Sequence, residues 1–352
     1  MVQSSSSPGS YIYTSTRLRV RKSKLLTPAE YHRMLNMGLS EITRFIGETE
    51  YQKEVEELGT SFSGVDLIEL ALSWNLAKEY QRVIDMAPGT LKQFTKTYLE
   101  RWDIYNVLTI LRGKIQGLSE GKIKEVLIPA GSLNKMVLDR LLAEESCERV
   151  IDGLKNWHLE PVLQSHAAAA ISSGSFSQME NDLYKKFYAD LLKVEEQGVT
   201  GADQFIKFVK LEIDTLNTKT IFRMQADAVS KASRDLFIPG ASFTLDELEQ
   251  ISGLSDQVEI IDALSARIRN EPLLIALEEL REKKTTLNEI NIKLTKAHLE
   301  QMERLSRIHP FSIHSVLVYL EKKKYEVANL RALARGKESQ LPGDVIEQYL
   351  VI

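Results

Sequence analysis

The chain carries one helical motif three times at nearly equal spacing, and that repetition restricts its fold more than any other feature. The copies are Asp103-x-x-Asn106-x-x-Thr109-Ile110-x-Arg112, Asp214-x-x-Asn217-x-x-Thr220-Ile221-x-Arg223 and Glu326-x-x-Asn329-x-x-Ala332-Leu333-x-Arg335. The arginines stand 111 and 112 residues apart. That period is too even for chance and too long for common solenoid units, which run about 20 to 50 residues. Duplicated domains are the reading, and 352 residues accommodate three of them, each able to bury its own core.

The joints between copies are written in turn and capping residues. Ile128-Pro129-Ala130-Gly131-Ser132-Leu133 and Ile238-Pro239-Gly240-Ala241-Ser242-Phe243 match, with their prolines 110 residues apart. Proline and glycine interrupt helical patterning there. Thr244-Leu245-Asp246-Glu247 then opens a helix with a capping box. Thr27-Pro28-Ala29-Glu30 does the same near the N-terminus, with proline at the first helical position. The division that follows is a disordered tail at 1–10 and helical domains at 11–125, 126–235 and 236–352. The serines of the tail and its lack of an apolar stretch fit neither a signal peptide nor a membrane anchor.

The fold class is all-α, three similar helical domains in pseudo-threefold arrangement. Apolar spacing is helical throughout, with long segments such as Gly64 to Met86 and Gly201 to Arg234. Leu280, Leu287 and Leu294 recur every seven residues around Ile290, as in an amphipathic packing helix. His309-Pro310 breaks the chain, and Ser312 caps the next helix. Within the motif, at 100° per residue, the acid, the asparagine and the Ile or Leu share an arc of about 60° and the arginine lies roughly opposite. Asparagine is locally unfavourable inside a helix, so its threefold recurrence points to a structural hydrogen bond in each copy. The arginine is placed to clamp a carboxylate or a helix end. Asp103, Asn106, Arg112, Asp214, Asn217, Arg223, Glu326, Asn329 and Arg335 are therefore read as structural.

Catalytic patterns are missing. Gly113-Lys114 and Gly121-Lys122 lack the rest of a phosphate loop and read as helix-ending glycines. The six histidines include no i, i+4 pair, and the single cysteine, Cys147, can make neither a disulfide within the chain nor the usual zinc sites. No catalytic residue, metal or cofactor is assigned. A net charge of −4 argues against a nucleic-acid binder. No apolar run is long enough to span a bilayer, and one cysteine fits a reducing, cytosolic location. Charge is nevertheless uneven: Arg17, Arg19, Arg21, Lys22 and Lys24 follow one another with no acid before Glu30. The run is either a solvated face or a contact with an acidic partner or lipid head groups.

The third copy sits in His309-Pro310-x-Ser312-Ile313-x-x-Val316-Leu317-x-Tyr319-Leu320-x-x-Lys323-x-x-Glu326-Val327-x-Asn329-Leu330-Arg331-x-x-x-Arg335-Gly336-Lys337. This block resembles the C-terminal signature of the C subunit of archaeal and bacterial A/V-type ATP synthases, a family that includes the d subunit of eukaryotic V-type ATPases. Tyr11-x-Tyr13 with Arg17-x-Arg19 and Lys24-Leu25-Leu26, and Trp102-Asp103-Ile104-Tyr105-Asn106 to Arg112-Gly113-Lys114, are similar to other parts of that family. The middle copy adds little beyond its own motif.

The resemblance implies a funnel of three helical domains and no chemistry of its own. Such a protein sits on the cytoplasmic side of the membrane as a peripheral part of the rotor. It joins the central-stalk subunits to the membrane proteolipid ring and couples ATP turnover to proton or sodium transport. Arg17, Arg19, Arg21, Lys22 and Lys24 then become a possible partner or membrane-proximal patch, a role the resemblance does not itself assign. The alternatives are a soluble helical scaffold unrelated to rotary ATPases and an all-α enzyme with its site between domains.

Overall fold

The computed structural model describes residues 8–226, 234–281 and 285–352, and among them the regular structure is helical, with no strand. In chain order the α-helices are α1 (Pro8–Lys22), α2 (Pro28–Leu35), α3 (Leu39–Gly47), α4 (Gln52–Leu58), α5 (Gly64–Met86), α6 (Gly89–Leu99) and α7 (Arg101–Ile115). They continue with α8 (Glu120–Val126), α9 (Lys135–Leu142), α10 (Cys147–Asp152), α11 (Glu160–Ser173), α12 (Ser177–Leu192) and α13 (Ala202–Ala226). The last are α14 (Leu245–Ser252), α15 (Gln257–Arg267), α16 (Glu271–Arg281), α17 (Leu287–Ile308), α18 (Ile313–Glu338) and α19 (Gly343–Glu347). Helix α1 begins at Pro8, inside the stretch expected as a tail; the remainder of that tail, 1–7, lies outside the described residues, as do 227–233 of the expected Gly201–Arg234 segment.

By compactness the chain forms two units, a division different from the repeat. The first is Met37–Phe187. Its long helix α5 buries Leu67, Leu70 and Ala71 against Leu58 of α4. The second joins the described residues of Ser7–Asn36 to Tyr188–Ile352, so α1 and α2 fold with the C-terminal half. There α13 to α17 close over one apolar cluster that includes Phe222, Phe237, Phe243, Leu264, Leu277 and Leu294. Burial of such side chains stabilises by roughly 1.5 to 3 kcal/mol each. Leu67, Val65, Phe176 and Phe187 are all core residues, while Phe62 is half-buried beside Leu58.

Capping chemistry sets the starts of the repeated helices. Thr27 and Thr244 make the expected boxes with Glu30 and Glu247, and Asn134 caps α9 at the corresponding place by accepting from the Val137 amide. A second cap follows 11 or 12 residues later in each copy, at Gly38, Ser146 and Asp256. Two local expectations change. Leu280 and Leu287 do not share a helix: α16 ends at Arg281 and Thr286 starts α17 with its own capping box to Glu289. The heptad spacing arises because both helices line the same core. Nor are Gly113 and Gly121 helix-ending residues. Gly121 is the second residue of α8, and Gly113 lies inside α7, where an added Cβ would come within 2.6 Å of Ile123 on α8.

Candidate functional site

The repeated residues form three clasps between a long helix and the chain segment that follows it. In the first, Asn106 on α7 donates through Nδ2 to the Ile128 carbonyl at 2.7 Å and accepts through Oδ1 from the Ile128 amide at 2.8 Å. Asn217 on α13 does the same with Ile238, at 2.8 and 2.9 Å. Asn329 on α18 does the same with Val351, at 2.9 and 2.8 Å. All three asparagines are buried. A carboxamide is the side chain that can answer both the N–H and the C=O of one extended residue, which is why helix-disfavoured Asn recurs.

The acid one turn earlier holds the next part of the same segment. Asp103 accepts from the Ser132 amide and hydroxyl, both at 2.7 Å, and from the Leu133 amide at 3.0 Å. Asp214 accepts from the Ser242 amide at 3.0 Å and hydroxyl at 2.6 Å. Burial pushes the Asp103 carboxyl up to about 6 against the three bonds that favour its charge, and it raises Asp214 as well. A Cβ on Gly131 would overlap the Asp103 carboxylate, so the segment closes tightly only with glycine there.

The third clasp is completed from the other end of the chain. Glu326 accepts from the Leu26 amide at 2.6 Å, and Leu26 precedes the cap Thr27 as Leu133 precedes the cap Asn134. In place of a serine hydroxyl, buried Lys323 meets the Glu326 carboxylate at 2.8 Å. The residue two places after each motif arginine adds a further link. Lys114 donates to the carbonyls of Leu142, at 2.8 Å, and Glu144, at the C-terminus of α9. Lys337 donates to the Leu35 carbonyl at the end of α2, at 2.5 Å. Gln225 reaches the Ser255 carbonyl just past α14, at 3.3 Å. The ends of α9 and α2, and the turn after α14, thus each receive a donor from a long helix of another copy.

The motif arginines are less uniform. Arg112 pairs with Glu180 at 2.6 Å, Arg335 is exposed, and Arg223 is exposed with no ion pair among the described residues. The basic run divides in two. Lys22 lies against α17, where Lys22 and Lys322 grip Glu303 at 3.0 and 2.5 Å and hold its carboxyl below the usual range against the opposing push of burial. Arg17 and Arg19 face outward. Arg17 donates to the Tyr13 hydroxyl at 2.6 Å, and the Arg19 guanidinium lies 5.7 Å from the centre of the Phe311 ring. Arg21 is half-buried and Lys24 exposed.

Elsewhere in the second unit a polar seam crosses α13, α17 and α18. Thr215 meets His298 Nδ1 at 3.3 Å, and Lys219 donates to Thr295 at 2.6 Å. Burial lowers His298 to about 4 and Lys219 to about 8. Among the described residues no three His, Cys, Asp or Glu are placed to share a metal ion, and no helix is long and apolar enough to cross a membrane. Sequence reasoning missed Ser132, Ser242, Leu26, Lys114, Gln225 and Lys337. The matched joint segments were the one signal that could have led to the serines.

These features describe a protein, all-helical among its described residues, whose repeated asparagines and acids hydrogen-bond long helices to linker segments. The family described as ATP synthase (C/AC39) subunit matches residues 14–349. The chain is similar to proteins that bear the name of the C subunit of A-type ATP synthases. The one from Archaeoglobus fulgidus is 34% identical over 97% of this chain and 96% of its own length. That from Methanosarcina acetivorans is 36% identical over 97% and 93%, and that from Haloferax volcanii 34% over 97% and 97%. The chain belongs to the ATP synthase (C/AC39) subunit family, whose members are non-catalytic parts of rotary ATP synthases.

Proposed function

We propose that the chain is the rotor component that couples the central stalk of an A/V-type ATP synthase to the membrane proteolipid ring during ATP-linked proton or sodium transport. It works as a peripheral component on the cytoplasmic side. The observation that carries this reading is the near end-to-end similarity to the C subunits of A-type synthases. The architecture supports it: a coupler must pass torque without deforming, and close-packed interiors are stiff. The first two clasps fasten α7 and α13 to the segments that lead into the next copy through buried hydrogen bonds, and the third fastens α18 to Val351 and Leu26. The threefold division near residues 125 and 235 belongs to the same proposal, since the clasped segments begin at Ile128 and Ile238.

The test is titration of the purified chain against the detergent-solubilised proteolipid ring and, separately, against the purified central-stalk subunits from the same source. Saturable binding to both is expected. A folded chain that binds neither would return it to a helical scaffold with a shared fold.

A further inference from the structure

We propose that the outward face of α1, together with the turn between α17 and α18, docks on an anionic lipid surface. Helix α1 buries Thr14, Ser15 and Leu18. Around the opposite arc, at 100° per residue, Ile12, Val20 and Tyr13 stand together with exposed Thr16 between the first two, with Arg19 on one edge and Arg17 on the other. Ile12, Val20 and Tyr13 are 46%, 57% and 56% exposed. The α17–α18 turn adds Ile308 and Phe311, 67% and 48% exposed, and the Arg19–Phe311 contact joins the two elements.

Charge points to the occupant. No acidic residue lies between Tyr11 and Leu26. The contacts of Arg17 and Arg19 are a phenol and an aromatic ring, and neither guanidinium meets a carboxylate among the described residues. Arg307, beside Ile308, is likewise exposed without an ion pair among them. What distinguishes this face from an ordinary solvated one is that Ile12, Val20, Ile308 and Phe311 are exposed together beside unanswered guanidiniums, and an acidic loop would answer the cations but not these apolar side chains. The combination of exposed apolar side chains, aromatic residues and cationic edges is what an interfacial element requires. Its apolar side chains enter the boundary below the head groups while guanidiniums meet phosphates. The inference deepens the proposed membrane-proximal role and rests on that reading for its biological setting.

The experiment is flotation of the full chain with phosphatidylcholine vesicles, with and without phosphatidylglycerol, at low and high salt. Binding is expected to the anionic vesicles and to fall with salt. Each surface cation contributes about fivefold, so Arg17→Gln with Arg19→Gln should weaken binding about twentyfold. Ile308→Ser with Phe311→Ser should weaken it at least about tenfold, whereas Ile275→Ser, an exposed residue on α16, should leave it unchanged. Circular dichroism establishes that each variant is folded. Absence of vesicle binding, or binding indifferent to lipid charge and to both double variants, overturns the proposal. So do variants that bind vesicles normally but lose the detergent-solubilised ring, because they assign the face to ring loops. Failed vesicle binding with intact ring and stalk titrations removes only the lipid contact, while the reverse result removes the coupling role.

Discussion

Each clasp asparagine satisfies both polar groups of one buried or half-buried backbone unit, so its loss orphans two groups at once. Each orphan costs about 1 to 3 kcal/mol. Asn106→Ala should therefore destabilise the first compact unit by about 2 to 6 kcal/mol, and Asn329→Ala should do the same to the second while leaving the first folded. Amide hydrogen exchange at Ile128 and Val351 checks this, since each amide should lose protection only in its own variant. The buried His298 makes a second prediction. Desolvation holds it at about 4, with Glu212 and Glu321 pulling it up and Lys219 and Lys324 pushing it down. The unfolded chain takes up the proton first, so stability from the neutral imidazole is complete above about pH 6.5 and is lost as pH falls toward 4. That loss is about 3 kcal/mol at most. Urea unfolding of His298→Gln at pH 7 and near pH 4 should show a smaller acid loss than the parent chain. At this scale the recurrence of Asn and the acid in helical register was legible in the sequence, but not what they hydrogen-bond to. Their partners are mostly backbone groups 21 to 30 residues on, and a backbone amide leaves no signature in residue identity.

Glycine at a helix interior ordinarily costs up to about 1 kcal/mol relative to alanine, and the repeated Arg-Gly-Lys sequence accepts that cost twice. An added Cβ on Gly113 would lie 2.6 Å from Ile123, and one on Gly336 2.7 Å from Ile346. Each glycine lets the short helix ten residues on, α8 or α19, lie against its long partner. Gly113→Ala should thus lower the melting temperature rather than raise it, by about 1 to 3 kcal/mol of overpacking. Adding Ile123→Val should restore part of the loss; a lone Gly113→Ala that stabilises would remove this account. Helix starts were the most legible elements, because Thr27 and Thr244 announce themselves by a hydroxyl and a glutamate three residues later. Thr286 carries the same box but was hidden by the leucine heptad that straddles it, a case where two adjoining helices share one core face and imitate a single period.

For the molecule, the repeat and the compact units cut the chain in different places, and the third clasp explains why. The partners of Glu326 and Asn329 are Leu26 and Val351, residues from the two ends of the sequence. Ser132 and Ser242 follow their acids by 29 and 28 residues, whereas the Leu26 amide precedes Glu326 by 300, so a period read forward along the chain does not point to this closure. Deletion of Val351 and Ile352 should expose the Asn329 carboxamide and lower the stability of the second unit by about 2 to 4 kcal/mol, leaving the first unit's exchange protection unchanged. Order of manufacture is also constrained. Met37–Phe187 is one continuous stretch and can complete its clasp while the remainder is still being translated. The second unit cannot: α1 and α2 are made some 300 residues before Glu326 and Asn329, so Leu26 meets its carboxylate only after α18 has been made.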